Sequence, residues 1–562
     1  MSTLTDQQGL SIPAETESPS KRFDSRLVAI LTVAVAGLAA LALGITMSRR
    51  APEAPPATGA AALVPSDALA YIHLSTDPTR PAVKQAIRLA GRFPDAPTLI
   101  AALNNRLGAI LSRPGAPAGA FDFAGDVRPW LGREAAFALL NTTSTTAGSL
   151  IVLDVANRPR AQAFLDRSGA TPVRVYRGVT ELRYRRGTVL AFVRHYLAIG
   201  QRSSVQRAIA AADGSASSLQ GNPSYRSAAS AEPADRVLDA YISPSGLRRV
   251  LAPRGGALRA LATLLFQPAV AGTTISLSAL PGGARVTVHN ALDPALARLS
   301  GAPPAPFTPT LTPLLPAGSP LVLDVKGLGH AAPTVLSATA AAGIAGRIGP
   351  LLHRLGTALA SEGVDVRQAV SLFSGETAVG LSPAASSGAG APHGSALVIV
   401  TRTSHQEATR ELLASLQGPL AQLFPPPSTG PGQAAEWSDV QVAGVSAHQL
   451  AIAPGLQLDY AVFRGLVVVS TSLRAIGGVV KHARSLADEP AYHAALGAAP
   501  NRVTSLLFLD FSQLLSLGER MGLTRSARLT ALRSDLEKIR ATGLASTRGE
   551  ADTTAELFLQ IS

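Results

Sequence analysis

Ten short segments recur in the same order in the two halves of this chain, and that repetition limits its fold more than any other feature. VPSDALAYIHL (Val64 to Leu74) and LPAGSPLVLDV (Leu315 to Val325) each join a Pro-containing turn to a short apolar strand. Helical stretches follow: Pro81 to Arg92 and Thr98 to Leu111 in the first half, Ala332 to Ser361 in the second. FDFAGDVRPWLGREAAFALL (Phe121 to Leu140) then matches GVDVRQAVSLFSGETAVGL (Gly363 to Leu381). Both run through a DVR tripeptide, an amphipathic turn, a Gly and an acidic residue into a strand.

The correspondence continues to the C-terminus. SLIVLDV (Ser149 to Val155) matches SALVIVT (Ser395 to Thr401), each followed by a short helix ending at Phe164-Leu165 or Leu412-Leu413. YRGVTELRY (Tyr176 to Tyr184) matches VAGVSAHQL (Val442 to Leu450). LAFVRHYLAIG (Leu190 to Gly200) matches DYAVFRGLVVVS (Asp459 to Ser470), two apolar strands joined at Arg-His or Arg-Gly. The helices SSVQRAI (Ser203 to Ile209) and TSLRAI (Thr471 to Ile476) come next, with a leading Ser expected to accept the first free backbone amides. NPSYRSA (Asn222 to Ala228) matches EPAYHAA (Glu489 to Ala495), and VLDAYIS (Val237 to Ser243) matches LLFLDFS (Leu506 to Ser512). A hairpin closes each half, Thr273 to Asn290 and Leu544 to Ser562.

Short strands joined by tight turns, with helices between them and no regular βα alternation, imply an α+β class. The expected unit is a mainly antiparallel sheet flanked by helices, present as two tandem copies over residues 64–300 and 314–562. Between them GAPPAPFTPTLTP (301–313) has too many prolines for a helix or a central strand and reads as a linker. Two Gly, Pro and Ser-rich insertions in the second copy, Pro383 to His393 and Pro425 to Gln433, read as surface loops.

Upstream, Leu27 to Met47 is uncharged over 21 residues. As a helix rising ~1.5 Å per residue it matches the ~30 Å hydrocarbon core of a bilayer. Arg49 and Arg50 stand where a signal peptide would carry its small-residue cleavage site, so the segment reads as an uncleaved transmembrane anchor. Residues 1–26 are polar and expected to be a disordered cytoplasmic tail, with Lys21, Arg22 and Arg26 before the span. An anchor so near the N-terminus places the bulk of the chain outside the cytoplasmic membrane. Ala36, Ala40 and Gly44 share one face of the span, a spacing that lets helices approach closely. Residues 48–63, rich in Pro and Ala, read as an unstructured stalk.

Composition adds exclusions. The chain has no Cys, which removes disulfides, thiolate metal sites and thiol nucleophiles. Its formal charge of +13 comes almost entirely from Arg, and basic runs interleaved with aromatics are missing, so nucleic acid is not an expected partner. The expected contacts are membrane lipid through the anchor and an envelope protein or lipid ligand.

The DVRPWLG sequence (Asp126 to Gly132), the strand after it and YRGV (Tyr176 to Val179), with the N-terminal anchor and VPSDALAYIHL, resemble the bacterial domain of unknown function 3352 family. The resemblance covers nearly the whole external part. It implies one membrane anchor with a large external portion and assigns no activity and no functional residue. The second copy has Gln368, Ala369 and Val370 where the first has Pro129, Trp130 and Leu131, so the signature degenerates there.

No motif for chemistry stands out. There is no G-x-S-x-G elbow, no phosphate loop and no H-E-x-x-H; His482 and His493 lie on either side of Pro490. No catalytic, cofactor-binding or metal-ligating residue is therefore assigned. The densest charged cluster is Asp122, Asp126, Arg128, Arg133 and Glu134, with Asp365, Arg367 and Glu376 as counterparts. Its structural reading has Asp126 capping the turn, Trp130 anchoring it, and Arg133 and Glu134 as solvated strand-edge charges. Its chemical reading is an envelope hydrolase using paired carboxylates. His195, placed where the other copy has Gly465, reads as a turn residue. Asp239 and Asp510 read as equivalent strand ends, each accepting backbone hydrogen bonds at the turn into the next helix. The leading expectation is a non-enzymatic binding or scaffolding protein of the cell envelope, with the hydrolase and a structural spacer as alternatives.

Overall fold

The computed structural model describes residues 54–98, 101, 122–140, 148–184, 187–251, 269–299, 305–327, 372–382, 395–422, 424, 435–453, 456–481, 484–520 and 533–562. The tail and proposed anchor, the Ala332 to Ser361 stretch, Asp365, Arg367, His482 and both insertions lie outside the described residues, as does nearly all of Thr98 to Leu111. Among the described residues no helix is long and apolar enough to cross a membrane.

Among the described residues twenty strands form one continuous antiparallel sheet. Those of the first half are β1 (Ala70–Ser75), β2 (Leu131–Leu140), β3 (Gly148–Val155), β4 (Thr171–Tyr176), β5 (Val179–Arg183), β6 (Thr188–Val193), β7 (Tyr196–Gln201), β8 (Arg236–Ile242), β9 (Val270–Leu280) and β10 (Gly283–Leu292). Those of the second are β11 (Leu321–Lys326), β12 (Glu376–Ser382), β13 (Ala396–Arg402), β14 (Trp437–Val442), β15 (Val445–Ala453), β16 (Leu456–Phe463), β17 (Leu466–Ser470), β18 (Ser505–Asp510), β19 (Ile539–Arg548) and β20 (Asp552–Ile561).

In space the first half runs β4-β5-β6-β7-β3-β2-β1-β8-β9-β10. The second half repeats that order as β14-β15-β16-β17-β13-β12-β11-β18-β19-β20. The halves meet where β10 pairs with β20 over nine residue pairs, Gly283↔Gln560 through Ala291↔Asp552. That ladder closes the edge each half would otherwise expose, leaving β4 and β14 as the outer edges.

Local chemistry explains the strands. β1 alternates half-buried and buried residues, putting Tyr71, His73 and Ser75 on the inward face. The β4–β5, β14–β15 and β16–β17 turns place Arg177-Gly178, Ala443-Gly444 and Arg464-Gly465 at positive φ, the backbone of tight hairpin turns. The YRGV and VAGV stretches are thus hairpin turns, not continuous strands. At the β6–β7 turn only Arg194 takes positive φ, so His195 is not doing the conformational work of Gly465.

Helices cover both faces. In the first half Arg202–Ala212 and Pro223–Ala229 bury Val205, Ala208, Ile209 and Tyr225 against Tyr71, Ala138 and Val152 on one side. Arg158–Arg167 packs Phe164 and Leu165 with Trp130, Leu190 and Leu197 on the other. In the second half Leu473–Lys481 and Pro490–Leu496 cover one face, and Gln406–Gln422 the other.

Three boundary expectations are corrected. The proposed stalk is docked from its middle onward: Gly59–Ala62 forms a 3-10 turn, and Ala60, Ala61, Leu63 and Val64 sit in the core of the first half. Small Ala side chains let this backbone lie directly on the sheet, which extended Pro-rich chain would not do. The 301–313 linker is likewise structured at its end, where Phe307 bridges Val503 and Leu311 and Thr312 are buried. The expected Ser cap in the first half is also absent. That helix starts at Arg202 with extended Gln201 at its N-cap and no side-chain bond, because the chain leaves β7 directly into the helix.

Candidate functional site

The charged cluster named from sequence does not converge. Asp122, rather than Asp126, caps the turn, accepting from the amides of Ala124 and Gly125. Asp126 accepts from the Asp122 amide, and the Trp130 indole donates to the Asp126 carbonyl at 2.7 Å. Trp130 is buried and lies 5.9 Å from the Phe164 ring, so its anchoring role holds. Arg133 is exposed, whereas Glu134 is 2% exposed: it falls on the inward phase of β2 and is no solvated edge charge. His195 is exposed, with its ring stacked on Tyr196 and 3.9 Å from the Asp154 carboxylate.

Glu134 instead belongs to a buried chain of polar groups crossing four strands. The Tyr196 hydroxyl (β7) donates to Glu134 Oε1 at 2.6 Å, and the Ala60 amide donates to Glu134 Oε2 at 3.2 Å. His73 Nε2 (β1) lies 3.5 Å from Glu134 Oε2. His73 Nδ1 bonds Asp239 Oδ1 (β8) at 2.8 Å, Arg236 Nε donates to the same oxygen at 2.9 Å, and Arg236 Nη2 pairs with Glu232 at 3.0 Å. Arg80 caps this end, donating to the carbonyls of Arg236, Ala234 and Ala54. His73 is 0% exposed and Asp239 1%.

Burial would push the His73 imidazole down, but the Asp239 charge and the bonds to Asp239 and Glu134 raise it from 6.5 to about 9. It is therefore an imidazolium at neutral pH. Burial pushes Glu134 and Asp239 up, yet both end below the usual carboxylate range. The bonds from His73 and Tyr196 hold Glu134 down, and His73 with Arg236 holds Asp239 down. Glu232 goes the other way, to about 8, through burial and the nearby Asp239 charge. Tyr71, Tyr225 and Tyr241 ring the network and are raised by burial. Among the described residues the Tyr71 hydroxyl and Glu232 Oε1 have no hydrogen-bond partner.

The same position in the second half keeps only part of this. Strand pairing places Asp324 where the first half has His73, and Glu376 where it has Glu134. Leu506 and Leu466 stand in place of Asp239 and Tyr196. Glu376 accepts from the amides of Thr310 and Leu311 and from the Thr310 hydroxyl, much as Glu134 accepts from Ala60. Each glutamate thus grips the backbone leading into its own half.

Asp239 and Asp510 are not equivalent, which corrects the sequence reading by four positions. Asp239 faces His73 within the sheet, while Asp510 is paired in line with Ser243. Ser243 accepts from the Gly246 amide and Asp510 from the Gln513 amide, so these two are the matched helix caps. Matching VLDAYIS to LLFLDFS by their Asp residues hid the true register. His73 was missed although the signal was present: a His in phase with Tyr71 and Ser75 on an alternating strand is buried and must find partners. Among the described residues no group of three or more His, Asp or Glu is placed to hold a metal ion.

A family model described as protein of unknown function (DUF3352) matches residues 27–561. The chain belongs to that family. No curated protein matches it. Among solved structures, crystal forms III, I and IV of TP0453 are similar at 12%, 10% and 13% identity. They cover 44%, 42% and 43% of this chain and 88%, 79% and 87% of the other, with TM-scores of 0.25, 0.25 and 0.26. Likeness at that level carries no structural argument.

Proposed function

We propose that this DUF3352 protein is a single-pass, membrane-tethered protein with its bulk outside the cytoplasmic membrane, acting by binding or scaffolding at the cell envelope. Its two halves are read as tandem copies of one unit, each copy contributing ten strands to a common platform. The observation that carries this reading is the β10–β20 ladder, which joins the halves edge to edge into one broad sheet. Support also comes from where the charged groups go: Asp122 and Asp126 are engaged in their own turn, and His73, Glu134 and Asp239 are buried within the first half. The uncharged Leu27 to Met47 segment supplies the tether.

Two measurements on the full chain test this. Alkaline carbonate should leave it with the membrane, and release of intact chain would refute the tether. Co-sedimentation with vesicles of anionic lipid, and pulldown from envelope material with identification by mass spectrometry, should recover a specific lipid or protein. Turnover of an envelope ester or glycoside, abolished by Asp126→Asn, would favour a hydrolase instead.

A further inference from the structure

In the second half the buried carboxylates Asp324 and Glu376 sit side by side on β11 and β12, and between them they hold the segment that leads into that half. Asp324 is 0% exposed; its Oδ2 accepts from the Thr312 hydroxyl at 3.1 Å, and among the described residues its Oδ1 receives no hydrogen bond from an N–H or a hydroxyl. Glu376 is already supplied with donors, from the Thr310 amide and hydroxyl, from the Leu311 amide at 2.9 Å and from Arg402 Nε at 3.4 Å. Two adjacent buried carboxylates with one guanidinium at their rim cannot both stay ionised. A proton on Asp324 removes the conflict, because the carboxyl then donates to Glu376 in place of the donor that Oδ1 lacks.

We propose that Asp324 and Glu376 form a proton-operated latch: with one shared proton the pair holds the Thr310 to Leu314 turn against the sheet, and losing it frees the turn. The turn is the last stretch of chain before β11, so the latch sets how tightly the second half holds the connection from the first. Among the described residues the groups facing the pair are Lys326, opposite Glu376 in the β11–β12 ladder, Arg402 on β13, Thr310 and Thr312 on the turn, and Tyr492 on the helix Pro490–Leu496, whose hydroxyl bonds Thr312. Burial and the Glu376 charge raise Asp324 from 3.8 to about 7, so the proton leaves near neutral pH. A raised acid contributes stability fully below its unfolded value and loses it as pH rises through its folded value. The turn is therefore held most tightly at acid pH, and the hold weakens as pH rises toward about 7, above which it is at its lowest. The first half meets the same need with the His73 imidazolium, which keeps its proton to about 9 and leaves that leader fixed. The latch does not depend on where the protein resides.

The test is amide hydrogen exchange of the full chain between pH 5.5 and 9, read at Leu311 and Leu315 relative to intrinsic rates. One linked proton gives a loss of protection of up to about tenfold per pH unit as pH rises from 5.5 toward about 7, levelling off above it. In Asp324→Asn the amide donates to Glu376 at every pH, so protection should stay flat. A flat wild-type profile, or an Asp324→Asn profile that tracks the wild type, overturns the latch. Should that variant fail to fold, the wild type decides alone: the Asp324 carboxyl carbon should titrate by NMR near neutral pH, where the fall in Leu311 protection levels off. Titration without that loss overturns the proposal.

Discussion

Thr287 on β10 lies directly opposite Glu556 on β20, and each occupies the same place in its own half. Counting ladder by ladder from the matched starts Ala70 and Leu321 leads to both residues. A local two-fold axis therefore passes through this pair, and the partners on either side exchange roles: Ala284 faces Leu559 and Asn290 faces Thr553. Two like edges meeting in this manner is how a symmetric dimer closes its sheets, here within one chain.

That relationship can be trapped covalently. Facing residues of antiparallel strands have Cα atoms ~4.5–5.5 Å apart, within the ~4.4–6.8 Å a disulfide spans. The chain has no Cys, so Thr287→Cys with Glu556→Cys introduces the only thiols. Mild oxidation should convert the double variant to a faster-migrating species on non-reducing gels, while either single variant should not shift. Failure to crosslink would mean that the halves do not meet at this pair.

His73 is the counter-charge for two carboxylates that have no water to fall back on. His73→Ala leaves Asp239 and Glu134 buried beside an empty site, and breaking a buried pair this way costs about 3–5 kcal/mol. The urea midpoint of the first half should fall accordingly. His73→Gln should recover part of the loss, since its amide can still donate to Asp239.

The network also fixes the pH range in which the first half is most stable. His73 is raised to about 9 and Glu232 to about 8, so their contributions are complete below their unfolded values of 6.5 and 4.5. Both are lost as pH rises through the folded values. Glu134 and Asp239 are lowered, so their contributions are present above 4.5 and 3.8 and disappear as pH falls through the lowered values. Unfolding monitored by tyrosine fluorescence should show greatest stability in mildly acid solution near 4.5, with decline as pH falls below it and a progressive decline as pH rises from there to about 9. The decline on the alkaline side, ending between about 8 and 9, should vanish in His73→Gln combined with Glu232→Gln.

Much of the architecture was readable from the chain, and what was hidden has a physical reason. Both C-terminal hairpins and the Arg194 and Arg464 turns follow from apolar runs broken by turn residues, signals confined to a few neighbours. Which residues face one another is not local. The register that sets Asp239 against His73 spans 166 positions, and the one that sets Tyr196 against Glu134 spans 62. In Glu134 and Arg133 adjacent charges take opposite fates, one buried and one exposed, by the alternation of a strand whose phase the sequence leaves open. The leader was misread for a different reason: GAAAL has the composition of a flexible spacer, and only the sheet beneath makes its small side chains an asset.

The leader's attachment turns on Gly59. A Cβ there would stand 2.3 Å from the Tyr196 hydroxyl and 3.3 Å from Glu134 Oε1. Neither neighbour can yield freely, because the Tyr196 hydroxyl is bonded to Glu134 at 2.6 Å and Glu134 also holds the Ala60 amide. Gly59→Ala must therefore displace the ring, the carboxylate or the leader itself, a cost of about 1–3 kcal/mol. The leader is the least anchored of the three. Amide exchange at Ala60 and Ala61 should rise, and protease cleavage around residues 58–63 should speed up, with the pairing of β1, β2 and β8 unchanged. Protection at Ala60 equal to wild type would show that the Glu134–Tyr196 pair has room to spare and that this contact does not fix the leader.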